Sequence, residues 1–235
     1  MPKLFSIAYF PPVSYFAAMA QEMSGIGRRD KGDIGEISPS IVYIEACENY
    51  QKQSYRNRCL FCASEGVQPL SVPIVHEGGT YQLPIRSLKI DRSTPWVQQH
   101  KRAIVSAYRT SAYFEYYQDE LFSILDADTE TLFDLNLRLL QFFIEKTGLY
   151  VELRLTDDFA VPQRDTSGRP LATVYGEDYR EIIHPKRRND ILEHLQLNKP
   201  YFQVFAQKYG FQSDMSIMDL LFNEGPDSIV YLKNL

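Results

Sequence analysis

The spacing of apolar residues changes near Pro95, and this change constrains the fold more than any other feature of the sequence. Before it, short apolar runs rich in β-branched and aromatic residues alternate with Gly and Pro, a pattern typical of strands. After it, large side chains recur at every fourth position, at Trp96, His100, Ile104 and Tyr108. That spacing defines one face of a helix. The chain is therefore predicted to adopt a mixed α/β (or α+β) fold.

Six segments are predicted as strands. The third and fourth flank a turn at residues 64–66 and are therefore expected to form a hairpin. The six are 4–10, 41–46, 55–62, 67–75, 85–90 and 150–155.

Six further segments have helical spacing or helix boundary signals. Pro95 suits the first turn of the helix at 96–108, and Ser93 or Thr94 can cap it. We expect the helices to flank a mixed central sheet, and the last two to dock onto it. The other helical segments are 15–23, 113–125, 132–143, 201–209 and 216–223.

Length and composition favour one compact domain over residues 1–235. The chain is 44% hydrophobic and 23% charged, which is typical of a globular protein with a sizeable core. The glycine-rich stretch 24–38 is predicted as a loop. Residues 157–181 are predicted as a long C-terminal loop or an internal boundary, because they are rich in Pro, Gly and charge.

The formal net charge of −5 excludes a general positive field, so no nucleic acid partner is expected and any anion site must be local. No segment approaches the ~18 apolar residues of a membrane span. The sequence predicts no particular oligomeric state.

The three cysteines, Cys47, Cys59 and Cys62, are too few and too close for a secreted disulfide framework, so we expect a cytoplasmic protein.

Polar side chains are densest over residues 45–58, directly after a predicted strand. Loops that leave strands often carry function. A solvated turn with surface ion pairs is the alternative. The candidate residues are Glu45 or Glu48 as a general base, Asn57 as an oxyanion donor, and Lys52, Arg56 and Arg58 as phosphate or carboxylate ligands.

His100 is a second candidate base, because it lies on the apolar stripe of its helix and an imidazole exchanges protons near neutral pH. The alternative is a core histidine bonded to a carbonyl. If the polar segment is a site, Asn57 and Arg58 should lie close to His100 across one pocket, with Trp96 in its wall.

No cofactor or metal motif is recognised. Cys59 and Cys62 lack a second cysteine pair for zinc, and strand alternation points them to opposite faces. The pair Gly25 and Gly27 lacks the third glycine of a dinucleotide fingerprint, and His76, His184 and His194 have no metal-ligand spacing. The basic cluster at 184–188 can bind a phosphate or form a solvated turn.

Several motifs in sequence order resemble the WbqC-like family. They are AYFPPVSYF at 8–16, ENYQKQSYRNR at 48–58, LSVPI at 70–74 and LFDLN at 132–136, with Trp96 and His100 between the last two. The motifs at 184–186 and 219–226 resemble a Bacteroidetes-type branch of that family. Many relatives carry acidic residues where this chain has Ala46 and Cys47, and Glu45 and Glu48 are the possible substitutes.

The resemblance implies a role in O-antigen or other surface-polysaccharide synthesis. It implies a transferase that moves a glycyl or other aminoacyl group to a sugar precursor. We expect this small-molecule substrate to be a sugar precursor such as a nucleotide sugar. His100, Asn57 and Arg58 would supply base, oxyanion donor and anion ligand, and Tyr9 and Trp96 would line the substrate site. Two alternatives remain: a non-catalytic sugar-nucleotide-binding or interaction module of the assembly machinery, and a polar motif that only braces the fold.

Overall fold

The computed structural model describes residues 1–21, 39–75, 83–164, 170–197 and 199–234, and within them six strands form one sheet and two form a separate hairpin. The strands are β1 Lys3–Ser6, β2 Ser40–Glu45, β3 Arg58–Ala63, β4 Gly66–Ser71, β5 Val151–Leu155, β6 Gln163–Arg164, β7 Pro170–Thr173 and β8 Gly176–Asp178.

Four neighbouring strands of the larger sheet run parallel. The strand order is β5-β2-β1-β8-β7-β6; β1 pairs parallel with β2 and β8, and β2 pairs parallel with β5. The last two pairings, β8 with β7 and β7 with β6, are antiparallel. The next strand in sequence, β2, pairs with one side of β1, whereas β8 pairs with the other side. The carboxyl ends of β1 and β8 therefore flank a topological switch point, where α/β proteins commonly bind ligands.

The central strand β1 is apolar because it is covered on both faces. Leu4 and Phe5 have no exposed surface, as expected for an inner parallel strand. Lys3 is also buried, and its Nζ donates to the carbonyl oxygens of Ala18 at 2.6 Å and Gln21 at 2.7 Å, at the end of the first helix. Burial lowers the pKa of Lys3 to about 8, and the helix carboxyl end supplies the compensating partial negative charge.

Eight helices occur in the described part of the chain. The first is entirely buried, and its Phe16 ring lies 6.3 Å from the Phe143 ring of the fourth helix; the Phe10 ring, just before the first helix, lies 5.8 Å from Phe143. The helices are α1 Val13–Ala20, α2 Trp96–Tyr108, α3 Phe114–Asp126, α4 Leu132–Lys146, α5 Ile191–His194, α6 Ala206–Tyr209, α7 Ile217–Glu224 and α8 Ser228–Lys233.

The C-terminal helices are docked, as predicted. Asp214 occupies the amino end of α1, where Ser14 donates from its backbone N–H at 2.7 Å and from its hydroxyl at 2.9 Å. This carboxylate replaces a side-chain cap that Pro12 cannot provide. Ser216 caps α7 through the Met218 N–H, which confirms the predicted cap. The mixed α/β class, the β3–β4 hairpin, the stripe of α2 and the helices α3 and α4 are also confirmed.

Several local predictions were wrong. The segment 85–90 is not a strand but a 3-10 turn, Ile85–Ser87, followed by isolated bridges. Ile85 and Leu88 are both fully buried, and their three-residue separation suits that turn. Neither Ser93 nor Thr94 caps α2, because Pro95 occupies the cap position without a side-chain bond. Of the helix predicted at 201–209 only α6 forms, because Gln203 turns its amide inward to the Gln212 backbone.

The predicted long loop at 157–181 contains β6, β7 and β8, so part of it is strand. Gly176, the first residue of β8, allows this short strand to approach β1 closely. Its φ is +115°, and a Cβ at this position would lie 1.9 Å from the Pro2 carbonyl oxygen. Only glycine permits this approach. The predictions for 24–38, for Gly25 and Gly27, and for His76 fall outside the described residues. Among those described, no helix is both long enough and apolar enough to span a membrane.

Candidate functional site

Polar side chains gather at the carboxyl ends of the parallel strands. Ser6 ends β1, Glu45 ends β2, and their pairing in register places them side by side on one face of the sheet. Arg180 follows β8 by two residues, on the opposite side of β1 from Glu45. Parallel strands bring these residues to one edge because their carboxyl ends coincide.

Glu45 is completely buried and all of its oxygen atoms are bonded. Oε1 accepts from the Thr156 hydroxyl at 2.7 Å and the Cys47 N–H at 2.9 Å. Oε2 accepts from Arg180 at 2.7 Å and the Ala160 N–H at 3.0 Å. Such a carboxylate braces the strand ends, because three of these four bonds join β2 to residues more than 100 positions away in sequence.

Arg180 holds two carboxylates at once. Its Nε and Nη2 donate to Asp178 at 2.9 and 2.7 Å, a bidentate pair, while Nη1 donates to Glu45. Nη2 also donates to the Ala160 carbonyl at 2.6 Å. The guanidinium therefore ties β8, β2 and the segment around Ala160 together.

A second buried pair lies beside the first. Arg56 Nε donates to Glu48 Oε1 at 2.9 Å, Nη2 donates to Glu48 Oε2, and Nη2 also reaches the Ser6 hydroxyl at 2.8 Å. That hydroxyl donates to Glu48 Oε2 at 3.1 Å. Burial raises the pKa of Glu48, and the bonds from Arg56 and Ser6 oppose the rise. Arg56 and Ser6 thus adjoin a carboxylate that can accept a proton more readily than an exposed one.

Between the two pairs lies a narrow cleft, here called the carboxyl-edge cleft. Its open volume is about 10 Å³, about what one water molecule needs. It is lined by Ser6, Ile7, Ala8, Tyr15, Tyr55, Arg56, Tyr179, Arg180 and Ile183.

Basic side chains follow the last lining residue; we call His184, Lys186 and Arg187 the basic rim. Lys186 donates to Gln53 of the loop that carries Arg56. Burial lowers the pKa of His184, and the positive charges of Arg187, Arg56 and Lys186 lower it further. The cluster predicted at 184–188 therefore lies next to the polar segment 45–58, a proximity that the sequence did not reveal.

His100 has the surroundings of a core histidine. Its Nδ1 bonds the Tyr9 hydroxyl at 2.8 Å, and the Trp96 ring lies edge-on at 5.1 Å. Burial lowers the pKa of His100 to about 4, and a bond to the Ser71 backbone opposes this. Tyr9 and Trp96 therefore pack around the imidazole and do not line the carboxyl-edge cleft. A catalytic role for His100 stays a prediction, which this geometry does not favour.

Asn57 and Arg58 also lie outside the lining of the cleft. Asn57 Nδ2 donates to the Val72 carbonyl at 3.1 Å, so Asn57 braces the hairpin. Arg58 pairs in register with Ser71, and its Nε is buried without a hydrogen-bond partner. Lys52 is exposed on the surface of the loop. Arg58 thus has one buried nitrogen without a partner, whereas Arg56 is engaged by Glu48.

Sequence reasoning missed Ser6, Asp178, Tyr179 and Arg180. Arg180 lies in the stretch predicted as loop, and β8 is only three residues long, so no periodicity identified its carboxyl end. The available signal was the pair Asp178 and Arg180, an acid and a base two residues apart after a glycine turn. Within the described ranges, no group of three or more His, Cys, Asp or Glu side chains is arranged to hold a metal ion.

Comparisons with known proteins match most of the chain to a recognised family. Residues 37–231 match the WbqC-like protein family, a range that includes Glu45, Glu48, Arg56 and Arg180. The uncharacterized protein Rv1507c of Mycobacterium tuberculosis (strain ATCC 25618 / H37Rv) is 29% identical over 215 residues, covering 85% of this chain and 90% of that protein. No solved structure matches the chain.

Replacing Arg180 with Ala should destabilise the fold by about 3–5 kcal/mol, because it leaves Glu45 and Asp178 buried without their cation. The loss should shrink on acidification, since protonation removes the unpaired charges. Urea unfolding at several pH values measures the loss of stability and its dependence on pH. Arg92→Ala is the control, because the Arg92–Asp128 pair is exposed and should cost less than about 1 kcal/mol. An equally small loss for Arg180→Ala would contradict the bracing role.

His100→Gln should lower stability at pH 7 by about 1–3 kcal/mol, because one amide cannot replace both ring bonds. The folded protein holds the ring neutral, with a pKa lowered from 6.5 to about 4. This stabilisation is present above pH 6.5 and is lost as the pH falls towards 4, by about 3 kcal/mol. The difference in unfolding free energy between the wild type and His100→Gln should therefore shrink over that range. Unchanged stability with abolished turnover would instead identify a base.

Proposed function

This chain belongs to the WbqC-like protein family, and from that premise we propose that it is a transferase that binds an anionic sugar precursor at the carboxyl-edge cleft. The transferred group is an acyl group, with glycyl or another aminoacyl group as the first candidate. The substrate class is a sugar carrying phosphate, such as a nucleotide sugar, used in surface-polysaccharide synthesis. The motifs at 184–186 and 219–226 support a Bacteroidetes-type branch of the family.

The observation that carries this proposal is the basic rim next to a buried arginine in an acidic chain. The whole chain has a formal charge of −5, yet Lys186 and Arg187 bring positive charge close to His184, which also lies near enough to Arg56 for that charge to lower its pKa; Arg187 is in turn paired with Glu181 at 3.8 Å. A local positive field of this kind attracts phosphate, and guanidinium groups bind its oxygens in a fork. The switch point between β1 and β8 is the position where α/β folds bind nucleotides and related ligands.

Glu48 would act as the general base in the transfer step. In that step an acceptor hydroxyl or amine of the sugar attacks the carbonyl carbon of an activated glycyl group. A new ester or amide bond forms, the bond to the leaving group breaks, and the proton of the acceptor passes to Glu48 through the Ser6 hydroxyl, which lines the cleft and donates to Glu48. A raised pKa suits Glu48 to this role, because a base works best with a pKa near the working pH. Arg56 would then stabilise the negative charge that develops on the carbonyl oxygen.

A specific observation favours a second candidate, a sugar-nucleotide-binding module without turnover. Glu45 and Arg180 bond each other, Glu48 and Arg56 bond each other, and the cleft between them is narrow, at about 10 Å³. Groups held so firmly brace a fold well and exchange protons poorly. Under this alternative the basic rim binds the phosphate and no bond is made or broken.

We also propose that the protein works in the cytoplasm. Nucleotide sugars are made there, and Cys47, Cys59 and Cys62 are all free. Free thiols are typical of a reducing compartment.

Nucleotide sugars should raise the melting temperature. At a concentration 100 times the Kd, binding to the native state adds about 2.7 kcal/mol, or roughly 5–10 °C for a chain of this size. Differential scanning fluorimetry with UDP-N-acetylglucosamine, UDP-glucose and neutral N-acetylglucosamine measures this. The two nucleotide sugars should stabilise the protein and the neutral sugar should not, because the rim recognises phosphate.

Lys186→Gln should reduce the shift, whereas the exposed Lys208→Gln should leave it unchanged. Mass spectrometry of the nucleotide sugar after incubation with a glycyl thioester then separates the two candidates. A sugar heavier by one glycyl residue supports the transferase, and stabilisation without that product supports the binding module. Equal responses to charged and neutral sugars, or none, would refute the anion site.

A further inference from the structure

The strand β5 ends the larger sheet, and its outer edge is unpaired among the described residues. Its inner edge pairs with β2, where the Ser40 N–H donates to the Tyr150 carbonyl and the Thr156 N–H donates to the Ile44 carbonyl. Backbone groups alternate sides along a strand, so those of Val151, Leu153 and Leu155 point outward. An exposed edge of this kind is a template for another strand.

The sequence of β5 is complementary to itself when reversed. It reads Val-Glu-Leu-Arg-Leu over Val151–Leu155, and an antiparallel copy centred on Leu153 places Glu152 opposite Arg154 of the second chain. The two residues lie on the same face, with nearly half of each side chain exposed. Within one chain they already pair at 2.7 Å. Each carboxylate would therefore lie between two guanidinium groups across the junction.

The hydrogen-bond pattern fits the same register. A pair centred on Leu153 uses the outward groups of Val151, Leu153 and Leu155, with about six backbone hydrogen bonds. Glu152 and Arg154 then fall in the non-bonded positions, where facing Cβ atoms are closest, at about 5 Å. The charges and the backbone hydrogen bonds thus favour the same register. A shift by one residue would bring the apolar face of one strand beside the charged face of the other.

We propose that two copies of this chain associate through antiparallel pairing of β5, giving one continuous sheet across a two-fold axis. The apolar residues of β5 pack against the core on one face, and the charged pairs lie on the other. This dimer is independent of the proposed function, since the carboxyl-edge cleft lies within a single chain. A two-fold axis is the commonest symmetry for such an interface.

Charge reversal tests the register directly, with mass measured by sedimentation or light scattering at micromolar concentration. The wild type should be dimeric. Glu152→Arg and Arg154→Glu should each raise the dimer dissociation constant more than about tenfold, because like charges then face each other. Mixing these two variants should restore dimers, and so should the double variant Glu152→Arg with Arg154→Glu, because each arrangement again opposes unlike charges.

The matched control is Glu130→Arg, which reverses a charge in the exposed Lys89–Glu130 pair and should leave the dimer unchanged. Circular dichroism confirms that each variant is folded. A monomeric wild type, or a dimer that neither reversal weakens, would overturn the proposal. Failure of the two weakened variants to recombine on mixing would also overturn it, because recombination depends on the pairing of residue 152 with residue 154.

Discussion

The mutual neutralisation of buried charges at the carboxyl edge is the constraint on which the rest of the structure depends. Glu45, Glu48 and Asp178 are buried beside Arg56 and Arg180, each with less than a tenth of its surface exposed. Removing one such ion from water costs several kcal/mol, so the fold is stable only if every charge finds its partner. Two of the contacts join distant segments: Arg180 bonds Glu45, 135 residues away in sequence, and Arg56 bonds the Ser6 hydroxyl, 50 residues away. Their pairing therefore fixes where β8 and the loop after β2 lie relative to the sheet.

The same pairing shapes what the site can do. Three carboxylates face two guanidinium groups, so the buried cluster carries no surplus positive charge. The basic rim supplies that charge at the surface. Phe159 lies 5.2 Å from the Arg180 guanidinium, and Ala160 is bonded to both Arg180 and Glu45, so this segment covers the cluster. A ligand that reaches the arginines must displace part of this cover or one of the ion pairs. Ligand binding and charge pairing therefore compete.

The predictable parts of the fold are those with a strong local signal. The stripe of α2 and the β3–β4 hairpin follow from periodicity and turn composition, and both form. The segment 85–90 was wrongly predicted as a strand, because β-branched residues favour strands. Here the burial of Ile85 and Leu88 favours a 3-10 turn instead. The motif at 45–58 identified Glu48 and Arg56, but not that they bind each other. Ser6 and Arg180 complete the site through strand register, which arises only when distant segments pair.

The central claim is that the carboxyl edge between β1 and β8 binds a phosphate-bearing sugar. A crystal structure of the protein with a bound nucleotide sugar tests it most directly. The account predicts phosphate oxygens within hydrogen-bond distance of the basic rim, and the sugar above Ser6 and Arg180. Phosphate bound elsewhere on the chain, with the basic rim and both buried ion pairs unchanged and unoccupied, would contradict it.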